Sequence, residues 1–346
     1  MIKTGIASYG MSGKLFQAPF IANHPGFELT AIVERNREES RRRYPNSKLY
    51  RSFEEMLTDE SLQLVIVNTP SHTHYEYTKA ALLAGKDVIV EKPFTVKLAE
   101  AIELDELTKS LGRSLFVYQN RRYDGDFRAI REAVESGKLG DIVEAEFRYD
   151  RFRTGYSGKP HKEGTLPGAG IVHDLGAHLG DQALQLFGMP EAVFADIRIL
   201  RKDGVQANDY FEILLYYPDK RVRLKSTVMA RESIYAFVVH GNNGSFLQQR
   251  SDMQEEELLK ETEPSLNNWC PSPQKPDGIL HYMEDGQSVR LETTSKAGNY
   301  MGYFDDVYKA LTQGAPNPVP PSDAIKTMTL IEKAFESAAA GKVVKL

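Results

Sequence analysis

The sequence predicts an α/β protein of two domains: a doubly wound parallel sheet over residues 1–122, then an α+β domain over residues 123–346. Three observations lead there. The chain has 346 residues, more than the roughly 250–300 at which a single core stops growing. Its first third alternates short, continuously apolar runs with helical patterns. Past residue 122 the apolar runs give way to strict alternation of apolar and polar residues.

The apolar runs IKTGIAS, FELTAIVE, LQLVIVNTP, KDVIVEKP and SLFVYQN read as the first five strands. The clearest helical pattern between them is LAEAIELDELTKSLG. There Leu98, Ala101, Leu104, Leu107 and Leu111 recur at spacings of three or four, and Gly112 closes the segment. Strands that are apolar on both sides and separated by helices belong to a parallel sheet covered on both faces. In the second domain GDIVEAEFRYD sets Val143, Ala145, Phe147 and Tyr149 on one face and Glu144, Glu146, Arg148 and Asp150 on the other. AVFADIRIL, YFEILLYYP, RVRLKSTVMA, IYAFVVHG and SVRLET follow, with turn signals in PDK, GNNG and EDG. Period-two strands joined by tight turns make an antiparallel or mixed sheet with one wet face. Helices are expected at 126–137, 177–187, 300–313 and 322–340, and PSLNNWCPSPQKPDG reads as a long surface loop.

Composition excludes several classes. Hydrophobic residues make up 41% and charged residues 26% of the chain, as in ordinary globular proteins. A net charge of −5 provides no basic field for nucleic acid or anionic lipid. RNREESRRRYPN holds five arginines, but Glu38 and Glu39 interrupt them, so a solvated helix face is expected. Cys270 alone can form neither an intramolecular disulfide nor a cysteine-rich metal cage. That fits a reducing compartment, with a cysteine-poor secreted chain as the alternative. MIKTGIASYG lacks the pattern of a signal peptide, and no run approaches the roughly 18 apolar residues of a membrane helix. A cytoplasmic protein is expected, without membrane or nucleic-acid partners.

The first turn, GIASYGMSGKLF, carries Ser8-x-Gly10-x-x-Gly13 between a strand ending near Ala7 and a helix. This is the dinucleotide fingerprint with serine in place of its first glycine. Gly10 lets backbone approach a pyrophosphate, Gly13 lets helix pack on strand, and the helix start faces the phosphates. Serine can make the tight turn if its φ is negative. Glu34 lies 24 residues beyond Gly10, near the roughly 20 expected of a ribose-binding acid. Its carboxylate would accept from both ribose hydroxyls and repel a 2′-phosphate, whereas the guanidinium of Arg35 would pair with one. NAD and NADP both remain open. Asn68, Thr69 and Pro70 end the third run at the carboxyl edge of the sheet, where open α/β sheets bind ligands. The i, i+2 spacing of His72 and His74, without a carboxylate cluster, argues against a metal site.

A further stretch, DVIVEKPFT, runs a greasy strand straight into Glu91, Lys92 and Pro93, a charged pair that folding does not need. EKP at 91–93, the turn at 8–13, NTPSHTH at 68–74, QNRRYD at 119–124 and GAGIVHDLGAHLGDQ at 168–182 together resemble the Gfo/Idh/MocA (glucose–fructose oxidoreductase and inositol dehydrogenase) family. The likeness is collinear over nearly the whole chain. Within the family it is nearest to bacterial NADP-dependent scyllo-inositol dehydrogenases, which share the NRR-aromatic-D stretch and a YDRFR-like strand. The resemblance implies a Rossmann domain, a C-terminal domain with a large open, mostly antiparallel sheet, and a homodimer or homotetramer built on that sheet. It implies NAD or NADP as cofactor, a cis bond before Pro93, and Lys92, Asp174 and His178 as the catalytic group. The cofactor-binding set is then Ser8, Gly10, Met11, Gly13, Glu34, Arg35, Asn68, Thr69, Pro70, His74, Glu91, Lys92 and Asn120. Serine at position 8 departs from the family pattern with little consequence. Glu34 stands where NADP-dependent relatives tend to carry a small residue, which weakens the transfer of their preference.

The chemistry of the residues supports these roles. Asp174 and His178 are four apart and share one helix face if the helix begins by residue 174. Taking a proton from a secondary alcohol suits a base with pKa near neutrality, and histidine is the default. Asp174 orients that ring or holds the hydroxyl, and Lys92 donates to the developing alkoxide. Asp181, one turn beyond His178, either contacts substrate or caps neighbouring backbone. Tyr123, with Arg121 or Arg122, is expected near the nicotinamide at the domain junction. Arg153 and His161 belong in or beside the glycine-rich loop TGYSGKPHKEGTLPGAG, which is expected to close over the substrate. The expected substrate site is Lys92, Tyr123, Arg153, His161, Asp174 and His178. The leading function is hydride transfer between NAD(P) and a carbinol carbon of a sugar or cyclitol. The alternatives on the same fold are a glycosidase using NAD as a transient oxidant and a non-enzymatic NAD(P)-binding sensor or regulator.

Overall fold

The computed structural model describes residues 1–202, 204–267 and 269–346. The chain divides into two compact units. Unit one holds Met1–Asn120, Gln254–Cys270 and Asn299–Ile325, and unit two holds Arg121–Met253, Pro271–Gly298 and Lys326–Leu346. Unit one thus takes two stretches from the second half of the sequence.

Unit one is built on six strands: β1 (Ile2–Ile6), β2 (Phe27–Val33), β3 (Lys48–Tyr50), β4 (Leu64–Val67), β5 (Asp87–Glu91) and β6 (Leu115–Tyr118). They pair all in parallel in the order β3-β2-β1-β4-β5-β6. Leu64–Val67, Val88–Val90 and Leu115–Tyr118 are wholly buried, which is why these runs carry no alternation. The first crossovers run one way from β1 and the later ones the other way from β4. The switch therefore falls between β1 and β4, the place where such sheets bind ligands.

The helix Leu98–Leu111 forms where expected and ends at Gly112, with φ 59°. Its buried stripe is narrower than the sequence pattern, because Ala101 and Leu104 are buried but Leu111 is exposed. In the arginine tract only Ser40–Arg43 is helical. The expected helix at 300–313 forms as Tyr300–Gln313, with Tyr300, Met301, Tyr303, Phe304 and Val307 fully buried. Phe304 stacks on Phe20 at 5.1 Å and 13°, and Tyr303 meets Tyr118 edge-on at 4.9 Å. The expected surface loop at 264–278 is buried in part: Trp269 and Cys270 turn inward, and Trp269 packs edge-on against Phe20 at 5.7 Å. A large indole gains more from that contact than from water, which loop composition does not register.

Among the described residues, unit two holds nine strands: β7 (Ile142–Arg148), β8 (Ala192–Arg198), β9 (Tyr210–Tyr216), β10 (Arg221–Thr227), β11 (Phe237–Gly241), β12 (Gly244–Gln248), β13 (Gly278–Glu284), β14 (Gln287–Thr293) and β15 (Val344–Lys345). Their order is β14-β13-β12-β11-β7-β10-β9-β8-β15. Every pairing is antiparallel except β7 with β10. The EDG turn closes the β13–β14 hairpin with positive φ at both Asp285 and Gly286, as a twisted two-residue turn requires. One face of the sheet is packed: Ala145, Phe147, Phe211, Ile213, Val222, Leu224, Phe237 and Val239 are buried. The helix Ala177–Phe187 sits on this side, with Phe187 6.2 Å from Phe147. The opposite face carries an ion-pair ladder in which Arg223 bridges Glu146 and Glu212 at 3.0 Å each. Val143 keeps the parity of Ala145 but is exposed, since it lies near the strand's start.

No helix among the described residues is long and apolar enough to cross a membrane. We predict that Phe304→Ala destabilises the protein by about 3–5 kcal/mol, read from the urea midpoint. A change below about 1 kcal/mol would mean that the aromatic cluster is not the core of unit one.

Candidate active site

The dinucleotide turn is held by a close backbone approach. A Cβ on Gly13 would lie 2.1 Å from the carbonyl oxygen of Ser8, so only glycine fits. The amide of Asn68 donates to that same carbonyl at 2.8 Å, fastening the end of β4 to the end of β1. Ser8 does not have positive φ, so serine is unstrained in the turn, and its hydroxyl accepts from Gly10 N at 3.3 Å. A Cβ at Gly10 would meet only Ser8 Oγ, at 3.6 Å, and Gly10 and Met11 are exposed. This open, glycine-lined turn fits a dinucleotide pyrophosphate.

Glu34 directly follows β2 and is 7% exposed. Its Oε1 accepts from Ser40 N at 2.8 Å and its Oε2 from Glu39 N at 3.0 Å. The carboxylate thus ties down the chain entering Ser40–Arg43, a role the sequence did not announce. Arg35, the next residue, is exposed. Around it the charges of Lys14, Arg37 and Arg51 are met by Glu38 and Glu39.

His74, expected among the cofactor residues, is 1% exposed. Its Nδ1 lies 2.7 Å from Pro93 O and its Nε2 2.9 Å from Thr69 O. Both ring nitrogens face backbone carbonyls, and the neutral ring donates to one of them, so His74 lies between the Asn68–Pro70 loop and the turn after β5. Burial pulls its imidazole below the ordinary histidine range, against the opposing pull of the two carbonyls and Glu91. The Lys92–Pro93 peptide is cis. Glu91 Oε1 accepts from the Ser12 hydroxyl at 2.5 Å and from Gln17 Nε2 at 2.9 Å, and Glu91 Oε2 lies 3.3 Å from Lys92 N.

In unit two the helix expected at 177–187 forms as Ala177–Phe187, and a π-turn, Val172–Gly176, leads into it. Asp174 lies in the π-turn and His178 in the first α turn. Insertions of this kind gather at functional sites. Asn208, absent from the sequence-derived set, holds the start of the segment. Its Oδ1 accepts from Val172 N at 2.9 Å and its carbonyl from Ile171 N at 2.9 Å. Gly170, with φ 96°, has no room for a Cβ against the Asn208 amide. Asp174 Oδ2 lies 3.6 Å from Lys162 Nζ, and His178 is buried at 4% exposure.

Asp181 resolves into an ion pair. Arg122 donates from Nε at 2.8 Å and from Nη2 at 2.6 Å to its two oxygens, with both side chains buried. Tyr123 follows in the same short helix, Asn120–Tyr123. Arg153 and His161 are exposed in and beside the glycine-rich loop. That loop is anchored by Arg201, another residue the sequence did not single out. Its guanidinium donates to Asp209 Oδ2 at 2.9 Å, Glu163 Oε1 at 2.9 Å and Gly155 O at 3.0 Å. Such pairs join residues far apart in the chain, and only composition at each end could have hinted at them.

His173, beside Asp174, is buried and stacks on Phe335 at 5.3 Å. Burial holds its imidazole below the ordinary range, a shift opposed by the Ala169 carbonyl. The folded chain therefore refuses a proton that the unfolded chain takes up near pH 6.5. This contribution to stability is present above that pH and is lost as pH falls through it toward the folded value. We predict a lower Tm at about pH 5.5 than at about pH 7.5, with a smaller difference in His173→Phe, which keeps the stack. An equal difference in the variant would clear His173 of the effect.

Comparison with known proteins accords with this geometry. A model of an oxidoreductase family with NAD-binding Rossmann fold matches residues 2–119, and one for the C-terminal alpha/beta domain of that oxidoreductase family matches residues 131–346. The chain is similar to the uncharacterized oxidoreductase YdgJ of Escherichia coli (strain K12), with 39% identity over 337 residues covering 97% of this chain and 96% of that one. It is similar to the scyllo-inositol 2-dehydrogenase (NADP(+)) IolW of Bacillus subtilis (strain 168), with 33% identity over 347 residues covering 100% and 96%. The crystal structure of an oxidoreductase from Bacillus cereus matches with a TM-score of 0.90 at 32% identity, covering 100% of this chain and 99% of that one. The chain belongs to the Gfo/Idh/MocA family of NAD(P)-dependent oxidoreductases.

Proposed function

We propose that the protein moves hydride between NAD(P) and a secondary alcohol or ketone carbon of a sugar or cyclitol, inositol-like in its ring of hydroxyls. The observation that carries this reading is the Glu91-Lys92-Pro93 turn, tied by Glu91 to the dinucleotide turn and by His74 to the Asn68–Pro70 loop. An ammonium in that setting is suited to a reacting oxygen. The scyllo-inositol activity of IolW and the myo-inositol 2-dehydrogenase of Thermotoga maritima, 27% identical over 213 residues, support the substrate class.

The bound nicotinamide supplies the hydride acceptor or donor. Lys92 donates a hydrogen bond to the substrate oxygen and stabilises the negative charge that develops there. His178 takes the hydroxyl proton in oxidation and returns it in reduction. Asp174 holds the neighbouring hydroxyl or the imidazole. Tyr123, Arg153 and His161 complete the proposed substrate site. We place the protein in the cytoplasm as a homodimer or homotetramer.

We predict that Lys92→Met keeps NAD(P)H binding, read by fluorescence, and loses turnover by about 10²-fold or more, as for removal of one preorganised donor. Unimpaired turnover removes Lys92 from the mechanism. The screen that precedes it sets inositols, aldoses and their keto forms against both cofactors by absorbance. Release of a free sugar from a glycoside without net absorbance change would favour the glycosidase instead, and binding without any turnover a sensor.

For the cofactor, Glu34→Ser is expected to shift preference toward NADP, because it removes a like charge from the 2′-phosphate position. An unmoved NADP/NAD ratio of kcat/KM would show that Glu34 acts on the Glu39 and Ser40 amides alone.

A further inference from the structure

Glu91 raises a problem that Lys92 does not. It is the last residue of β5, at the carboxyl edge of a parallel sheet. Its carboxylate lies against a turn built to receive phosphate, where a negative charge repels the ligand. An apolar residue would extend Val88–Val90 and fold as well. What the carboxylate does instead is gather donors from three places. Ser12 of the turn gives its hydroxyl at 2.5 Å. Gln17, in the segment leaving the turn and fully buried, gives its amide at 2.9 Å. The backbone N–H of Lys92 faces the second oxygen at 3.3 Å.

We propose that Glu91 is a positioning residue that couples the dinucleotide turn to Lys92, so that ordering of the turn by the dinucleotide also fixes the base of the catalytic lysine. The inference rests on the dehydrogenase reading of Lys92. The chain of contacts is short: turn, Ser12 hydroxyl, Glu91 carboxylate, Lys92 amide. On the other side of the lysine, the Pro93 carbonyl is held by His74. The residues on both sides of Lys92 are therefore fastened, one to the turn after β1 and the other to the loop after β4. Because the coupling is an equilibrium property, it acts in both directions: whatever disorders the lysine turn also loosens the dinucleotide turn.

The test uses the full-length protein saturated with NADPH or NADH and compares wild type, Glu91→Ala, Glu91→Gln, Ser12→Ala and Ser12→Ala/Glu91→Ala. We expect kcat to fall about 10- to 100-fold in Glu91→Ala, the size of a misplacement effect. The substrate KM should change much less. Glu91→Gln keeps an acceptor oxygen for Ser12 and Gln17 and should recover most of the loss. Ser12→Ala should lower kcat alone but add nothing in the Glu91→Ala background, as for two residues acting as one unit. A second readout does not depend on any substrate: the rate at which an amine-reactive reagent labels Lys92 in the cofactor-bound protein, followed by peptide mass spectrometry. That rate should change in Glu91→Ala and return in Glu91→Gln, while the other lysines keep theirs. Wild-type kcat with wild-type Lys92 labelling in Glu91→Ala overturns the proposal, and so do Ser12 and Glu91 losses that multiply. If wild type turns over no polyol with either cofactor, the dehydrogenase reading fails by itself and the labelling rates alone decide the coupling.

Discussion

Unit one depends on a side chain that is absent. With no Cβ at Gly13, the chain can fold back until position 13 lies against the carbonyl of Ser8, where a Cβ would come within 2.1 Å. That contact makes the turn tight, and Asn68 then locks it by donating to the same carbonyl. The strand order puts β4 beside β1 and β5 beside β4. Three successive carboxyl ends therefore lie side by side, and each hands a side chain to the next. Asn68 reaches back to the first turn, Glu91 takes the Ser12 hydroxyl, and His74 bridges Thr69 and Pro93. The parallel sheet supplies the alignment and the glycine supplies the clearance.

Unit two shows a different constraint, the pairing of buried charges. Arg122 with Asp181 and Arg201 with Asp209 and Glu163 are nearly sealed from water. Removing one partner from such a pair costs about 3–5 kcal/mol, whereas the intact pair adds little net stability. Their use here is geometric. Arg122 links the Asn120–Tyr123 helix to the helix carrying His178. Arg201 holds Gly155 and Glu163, two points of the glycine-rich loop, against Asp209. An apolar contact would hold these segments as firmly but leave more than one register available. A bidentate or three-way ion pair allows only one.

How much of this was legible in the sequence follows from range. Apolar runs and period-two alternation report local burial, so five of the six parallel strands and most strands of the large sheet were readable, as was the helix at Tyr300–Gln313, whereas the three-residue edge strand β3 was too short and too exposed to show. The cis bond before Pro93 came with the family resemblance. What periodicity could not give was which neighbour covers an apolar residue: Val143 and Leu111 keep the right parity and still face water, while Trp269 leaves a loop of polar composition for Phe20. The π-turn at Val172–Gly176 was invisible for the same reason. Asn208, from another segment, holds the backbone at its start, and neither that contact nor the π-turn has a signature in the local residue pattern. Anchors such as Asn208, Arg201 and Arg122 have no local signature, since each is defined by a partner dozens of residues away.

Glu34 shows why residue identity alone misleads at a cofactor edge. An acid closing the second strand reads as a ribose acceptor that excludes a 2′-phosphate. Here both its oxygens accept backbone amides, from Glu39 and Ser40, and the side chain is almost sealed from solvent. Those two bonds draw on the same lone pairs that ribose hydroxyls would use. Each carboxylate oxygen still has a second acceptor position, so the two roles compete for geometry rather than exclude one another. The negative charge, however, is partly offset by the two amides it receives. Its repulsion of a phosphate is correspondingly weaker than that of a bare carboxylate in the same place. Arg35, exposed one residue later, is under no such constraint. The residue after β2 is thus engaged with the Glu39–Ser40 backbone, a partner that its identity in the sequence does not reveal.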